Sequence, residues 1–114
     1  MLDAIVKEPA QQADAVVIWL HGLGDSGAGF ADVVPVLGLR KNLNVRFIFP
    51  HAPQQPVTIN SGYVMRSWYD IKTMDLDGRA DLPTLQQSEV LVNELIEQQI
   101  SRGIKPQRII LAGF

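Results

Sequence analysis

The chain has 114 residues, enough for one small domain and too few for two, and its 46% hydrophobic and 19% charged content excludes a disordered segment. A formal net charge of -2, with both signs scattered along the chain, argues against a nucleic-acid or anionic-membrane partner, since either calls for a basic face. The absence of cysteine removes disulfides, thiolate metal sites and a cysteine nucleophile together.

Met1 to Lys7 carries neither the basic n-region nor the apolar h-region of a signal peptide. The longest apolar run, Ala15 to Leu20, is far too short to cross a bilayer. The reading is a soluble, cytoplasmic chain with no integral membrane segment. The opening residues to Val6 suit a short edge strand, broken at Glu8-Pro9. Ala15-Val16-Val17-Ile18-Trp19-Leu20 is apolar at every position, which marks a central strand buried on both faces. A shorter helix is predicted between Gly29 and Leu39, with its register left open by Pro35. Asn44 to Phe49 is a second buried strand, ended by Pro50 and Pro53. Residues 54 to 79 show no clear period and read as a long surface excursion.

Thr84 to Arg102 is predicted as the clearest helix. Leu91 with Leu95, and Val92 with Ile96 and Ile100, share one side at i, i+4 spacing. Asp81 and Pro83 signal its start and Gly103 its stop. Arg108 to Ala112 is the last strand. Strands alternating with helices imply an α/β fold with a mostly parallel sheet and right-handed crossover helices. The last strand is apolar enough to want neighbours on both sides. Two readings stand: the edge of a small complete domain, or an incomplete domain that ends early. The second is favoured.

The strongest local signal is His21-Gly22-Leu23-Gly24-Asp25-Ser26-Gly27, directly after the first buried strand. Read as Gly22-x-Gly24-x-x-Gly27 it fits the dinucleotide fingerprint, but that reading needs an acidic residue after the next strand. Phe49-Pro50-His51-Ala52-Pro53 supplies none. Read instead as an oxyanion loop, the turn aims the Leu23 N–H at developing negative charge, with Gly22 and Gly24 letting the backbone bend and approach a substrate. A plain strand-to-helix turn is the bland alternative. Ser26 lies outside any Gly-x-Ser-x-Gly turn and reads as a helix N-cap, with Asp25 a second capping candidate. Asp70, Asp75, Asp77 and Asp81 lack the spacing of a calcium loop and read as a solvated loop, so no metal site is assigned.

Four blocks now carry a resemblance. They are Val17-Ile18-Trp19-Leu20-His21-Gly22-Leu23-Gly24-Asp25-Ser26-Gly27, Phe49-Pro50-His51-Ala52-Pro53, Arg66-Ser67-Trp68-Tyr69-Asp70, and Arg108-Ile109-Ile110-Leu111-Ala112-Gly113-Phe114. In this order the sequence resembles the bacterial carboxylesterases and acyl-protein thioesterases, the lysophospholipase-like esterases of the α/β-hydrolase superfamily. The resemblance implies that residues 1–114 are the amino-terminal half of an α/β-hydrolase domain. The family's next residues would be Ser-Gln-Gly-Gly, so Gly113 and Phe114 would open a nucleophile elbow whose serine is the following residue. It further implies one oxyanion N–H from Leu23 and a turn shaped by His21, Gly22 and Gly24; His51, set between Pro50 and Pro53, reads as a loop brace and not a catalytic base. Met65, Trp68 and the loop from Ile71 to Leu76 would line or cover an acyl cleft. The implied parent is a serine hydrolase of carboxylic esters or thioesters, needing no cofactor. Its substrates would be small acyl esters, lysophospholipids or acylated proteins, and its triad would be completed by the missing carboxyl-terminal half. The 114-residue chain alone is predicted to be inactive. The alternatives are a non-catalytic half that binds a partner or complements a second fragment, and a dinucleotide-binding domain.

Overall fold

The computed structural model describes residues 1–40 and 42–113, apart from the side chain of residue 76. The expected elbow residue Phe114 lies outside the described residues, as does the Leu76 side chain. In chain order come strands β1 (Ala4–Lys7) and β2 (Ala15–Leu20), one-turn helices α1 (Ala28–Ala31) and α2 (Val33–Val36), and strand β3 (Val45–Pro50). Strands β4 (Gln54–Val57) and β5 (Tyr63–Arg66), helix α3 (Leu82–Ser101) and strand β6 (Ile109–Gly113) follow.

Four strands form the main sheet in the order β1-β3-β2-β6. Strand β2 runs parallel to both β3 and β6, and β1 closes one edge antiparallel to β3. This is the expected mostly parallel α/β sheet, with helices in each parallel crossover. The unbroken apolar run of β2 follows from its position. Val16 and Ile18 pack with Ile48 against Leu95 of α3 and Ile104. Val17 and Trp19 turn the other way, joining Phe47, Phe49, Phe30 and Ala31 under α1 and α2. Alternation along one strand therefore feeds two apolar layers.

Helix α3 begins where the sequence predicts. Asp81 is its N-cap and accepts from the Thr84 N–H at 3.1 Å, and Pro83 sits in the first turn, where no intrahelical N–H is required. Its fully buried residues are Ser88, Val92, Leu95 and Gln99, so two polar residues share the inner face with the predicted apolar ones. Gln99 accepts from the Arg46 guanidinium at 2.7 Å, and the Ser88 hydroxyl donates to the Trp68 carbonyl.

The predicted helix between Gly29 and Leu39 is two single turns, broken at Asp32. Pro35 is the third residue of α2, where its missing N–H leaves no bond unmade. The N-cap of α1 is Gly27 and not Ser26. Ser26 acts one residue earlier, its hydroxyl accepting from the Ala28 N–H at 3.3 Å, while Asp25 accepts from the Ser26 N–H at 2.8 Å. The excursion from 54 to 79 contains structure that periodicity did not reveal. Strands β4 and β5 pair antiparallel across a turn whose Ser61 and Gly62 have φ of 58° and 76°. Strand β6 departs most from a buried strand. Among the described residues it pairs only with β2, and Ile110 and Leu111 are 60% and 52% exposed.

Candidate active site

The turn after β2 starts at the same end of the sheet as the carboxyl end of β6, because the two strands are parallel and Leu20 lies opposite Gly113. In open α/β sheets the carboxyl ends of the strands are where ligands bind.

His21 organises this end and is 1% exposed. Its Nε2 lies 2.9 Å from the Ala52 backbone nitrogen, and its Nδ1 lies 2.7 Å from the Gly22 carbonyl oxygen. A backbone N–H can only donate and a carbonyl can only accept, so the ring carries its proton on Nδ1. Both nitrogens are occupied, which leaves no lone pair for a catalytic base. The Gly22 carbonyl accepts a second bond, from Asp25 N–H at 3.3 Å. In a trans peptide the C=O of one residue and the N–H of the next point in opposite directions. With the Gly22 carbonyl drawn toward the His21 ring, the Leu23 N–H is turned away from it. Among the described residues that N–H has no hydrogen-bond partner, although the next amide, Gly24 N–H, donates to Arg66 O at 2.9 Å.

The rest of the turn is fixed by close contacts. Gly24 has φ of 76°, a backbone region that disfavours other residues. At Gly27 a Cβ would stand 2.1 Å from the Phe49 carbonyl oxygen, so only glycine lets the turn lie against β3. His51 accepts the Gly27 N–H on Nδ1 at 3.0 Å, which ties the loop after β3 to the turn after β2. Trp68 donates its indole N–H to His21 O at 2.8 Å, and Arg66 donates to Ala52 O at 2.8 Å. Gly22 borders open space, with no atom within 4 Å of where its Cβ would stand.

Next to the turn is a cavity of about 370 Å³ lined by Leu23, Ile59, Asn60, Ile71, Met74 and Arg79. Leu23 and Ile71, both expected at an acyl cleft from the resemblance, line this one cavity. Met65 and Trp68, predicted for the same cleft, do not line this cavity. The Met65 sulfur lies 3.6 Å from the Asn60 amide nitrogen, and Trp68 braces His21. Sequence reading missed Ile59, Asn60 and Arg79. The Ser61-Gly62 turn was the available signal for the hairpin that carries Ile59 and Asn60, and no local signal marks Arg79. A larger shallow groove of about 690 Å³ runs along α3 past Val90, Glu94 and Glu97, but it lies away from the turn and its free amide.

Of the four acidic residues read as a solvated loop, Asp75 and Asp77 are exposed, whereas Asp70 and Asp81 are engaged in bracing. Asp70 accepts from both the hydroxyl and the N–H of Thr58, at 2.6 and 2.7 Å, and these bonds hold its carboxyl below the usual carboxylate range. Asp81 is held low by the Lys72 ammonium at 2.9 Å and then by Thr84, and Lys72 is raised in turn by Asp81. The dinucleotide reading finds little support. Helix α1 has four residues, too few for a useful dipole, and no acidic residue follows β3 before the hairpin.

No helix is long and apolar enough to cross a membrane among the described residues. Comparison with known proteins gives a consistent result. Residues 1–114 match the Phospholipase/Carboxylesterase family. Acyl-protein thioesterase 1 of Gibberella zeae is 41% identical over 96% of this chain and 49% of its own length. Acyl-protein thioesterase 1 homolog 1 of Dictyostelium discoideum is 43% identical over 100% of this chain and 53% of its own. The crystal structure of Arabidopsis thaliana SOBER1 superposes with a TM-score of 0.81 at 32% identity, covering 88% of this chain and 49% of that one. Zea mays acyl-protein thioesterase 2 gives 0.76 at 26% identity, covering 99% and 45%. The chain thus spans about half the length of these relatives, which are eukaryotic where the motifs pointed to bacterial esterases. By its family match and its topology, the chain belongs to the phospholipase/carboxylesterase family and has the fold of the amino-terminal part of an α/β-hydrolase.

Proposed function

We propose that this chain forms the amino-terminal half of a cytoplasmic serine hydrolase that cleaves carboxylic esters or thioesters through an acyl-serine intermediate. One observation carries the reading. The Leu23 N–H, turned out by the His21 lock on Gly22, is unbonded among the described residues at the sheet end that β2 shares with β6. The names of the relatives supply the thioester part of the reading.

In this mechanism a serine following Phe114 attacks the acyl carbonyl carbon and passes its proton to a histidine beyond this chain. The carbonyl oxygen becomes an oxyanion held by Leu23 N–H and by the amide after the serine. Collapse breaks the C–O or C–S bond, and the departing alcohol or thiol takes the proton from the histidine. Water then repeats the sequence and releases the acid. The apolar cavity walls Leu23, Ile59, Ile71 and Met74 favour short- to medium-chain acyl groups, whether on small esters, lysophospholipids or acylated cysteines. The chemistry requires no metal or organic cofactor.

The test is p-nitrophenyl butyrate hydrolysis by the 114-residue chain and by a protein extended through the downstream coding sequence. The extended protein is expected to show an acyl-enzyme burst that is lost when the new serine becomes alanine. The chain alone should be slower by on the order of a millionfold, the cost of a missing triad nucleophile. A burst from the 114 residues themselves would overturn the proposal.

A further inference from the structure

Five of the six residues around the cavity belong to one hydrogen-bonded patch of the excursion. Ile59 and Asn60 come from a 3-10 turn, Thr58–Asn60, that opens directly after β4. Ile59 N–H donates to Ile71 O at 2.9 Å, and Ile71 bridges antiparallel to Ala80. Lys72 N–H donates to Arg79 O at 3.0 Å, and the Arg79 guanidinium reaches over to Met74 O at 3.1 Å. The patch is anchored to α3 at residue 70, where Asp70 N–H donates to the Thr84 hydroxyl at 2.8 Å and Asp81 N–H donates to Asp70 O at 3.0 Å. The Asp70 carboxylate then grips Thr58 twice. Among the described residues Thr58 is its only hydrogen-bond partner. That grip links the fixed start of α3 to the turn that delivers Ile59 and Asn60.

We propose that Asp70 and Thr58 are positioning residues that set the width of the acyl cavity beside the Leu23 amide, and so select which acyl lengths are accepted. This inference rests on the hydrolase reading. A purely architectural role fits the geometry less well. Helix α3 has its own cap in Asp81 and Thr84, the sheet has its own cores, and Thr58 is exposed. Removing the Thr58 hydroxyl therefore frees the cavity wall without opening a core.

The experiment compares p-nitrophenyl acetate and octanoate in the extended enzyme carrying Thr58→Val, a substitution of nearly the same shape. Losing a bond to a charged acceptor should lower the octanoate-to-acetate ratio of kcat/KM about tenfold, as a rise in the octanoate KM with kcat little changed. Thr58→Ser, which keeps the hydroxyl, should restore the ratio. Amide exchange at Ile59 should quicken in Thr58→Val while the amides of β2 and β3 keep their protection. An equal fall for both esters, no change in the ratio, or a serine variant that fails to restore it would overturn the assignment. A wild-type enzyme that cleaves neither ester would sink the hydrolase reading itself, and this inference with it.

Discussion

The two sides of the Leu23 amide are built on different principles. On the turn side, His21 and Ala52 are buried, Gly22 and Trp68 are half-buried, and both ring nitrogens of His21 meet backbone groups. On the excursion side, the wall runs from half-buried to exposed and is held by carboxylates gripping the exposed residues Thr58 and Lys72. Hydrogen bonds inside a low-dielectric core are strong and costly to leave half-made, whereas exposed ion pairs are screened and individually weak. The amide that would meet an oxyanion is thus fixed by the stiff side, and the wall that would meet the acyl chain is fixed by the adjustable side.

The contrast can be broken most severely at Gly27. An alanine there must displace the Phe49 carbonyl oxygen, a backbone atom of a central strand, so the two elements have to part. Gly27→Ala should destabilise the chain by at least about 3 kcal/mol, read as the shift of the urea unfolding midpoint. A midpoint unchanged within error would show that the turn yields more than its packing implies. Next in size is His21→Phe, which keeps a ring beside Trp68 but leaves the Ala52 N–H and the Gly22 carbonyl without their ring partner. We expect a loss of about 3 kcal/mol by the same measurement, and quicker amide exchange at Ala52. The smallest effect belongs to acid. Folding depresses the Asp70 and Asp81 carboxyls, so the stability they give is present above the ordinary carboxylate range and fades as pH falls through it and below. At about pH 3, after correction for intrinsic rates, exchange at Ile59 and Asp81 should rise relative to neutral pH while the amides of β2 hold. Equal loosening at both places would erase the distinction between the two sides.

How much was legible in the sequence follows the same division. Strands β2 and β3 declare themselves through local pattern because apolar layers cover both their faces, and helix α3 does so through the i, i+4 spacing of the one face it buries. The His-Gly-x-Gly turn was legible through glycine spacing, and the asparagine, isoleucine and arginine of the cavity wall were not. Asn60, Ile59 and Arg79 reach the site only through a hairpin with a proline in β4 and through pairings across the chain, which no periodicity records. Ser88 and Gln99 hide on the buried face of α3 because their partners, Trp68 and Arg46, are 20 and 53 residues away. Strands β2 and β6 make the limit plain. Both are apolar, yet Ile18 is fully buried and Ile110 is 60% exposed, because burial is a property of neighbours as well as of sequence.

The tautomer of His21 also bears on chemical labelling. Imidazole reagents such as diethyl pyrocarbonate attack an unprotonated ring nitrogen that solvent can reach, and His21 offers none. His51 is the other histidine of the sequence, partly exposed and bound through Nδ1. The nitrogen that accepts the Gly27 N–H is the unprotonated one, so this bond shields the reactive nitrogen of His51 as well. In any longer protein containing these residues, rapid inactivation by such a reagent would report on a histidine outside the chain, with His21 silent until the fold opens.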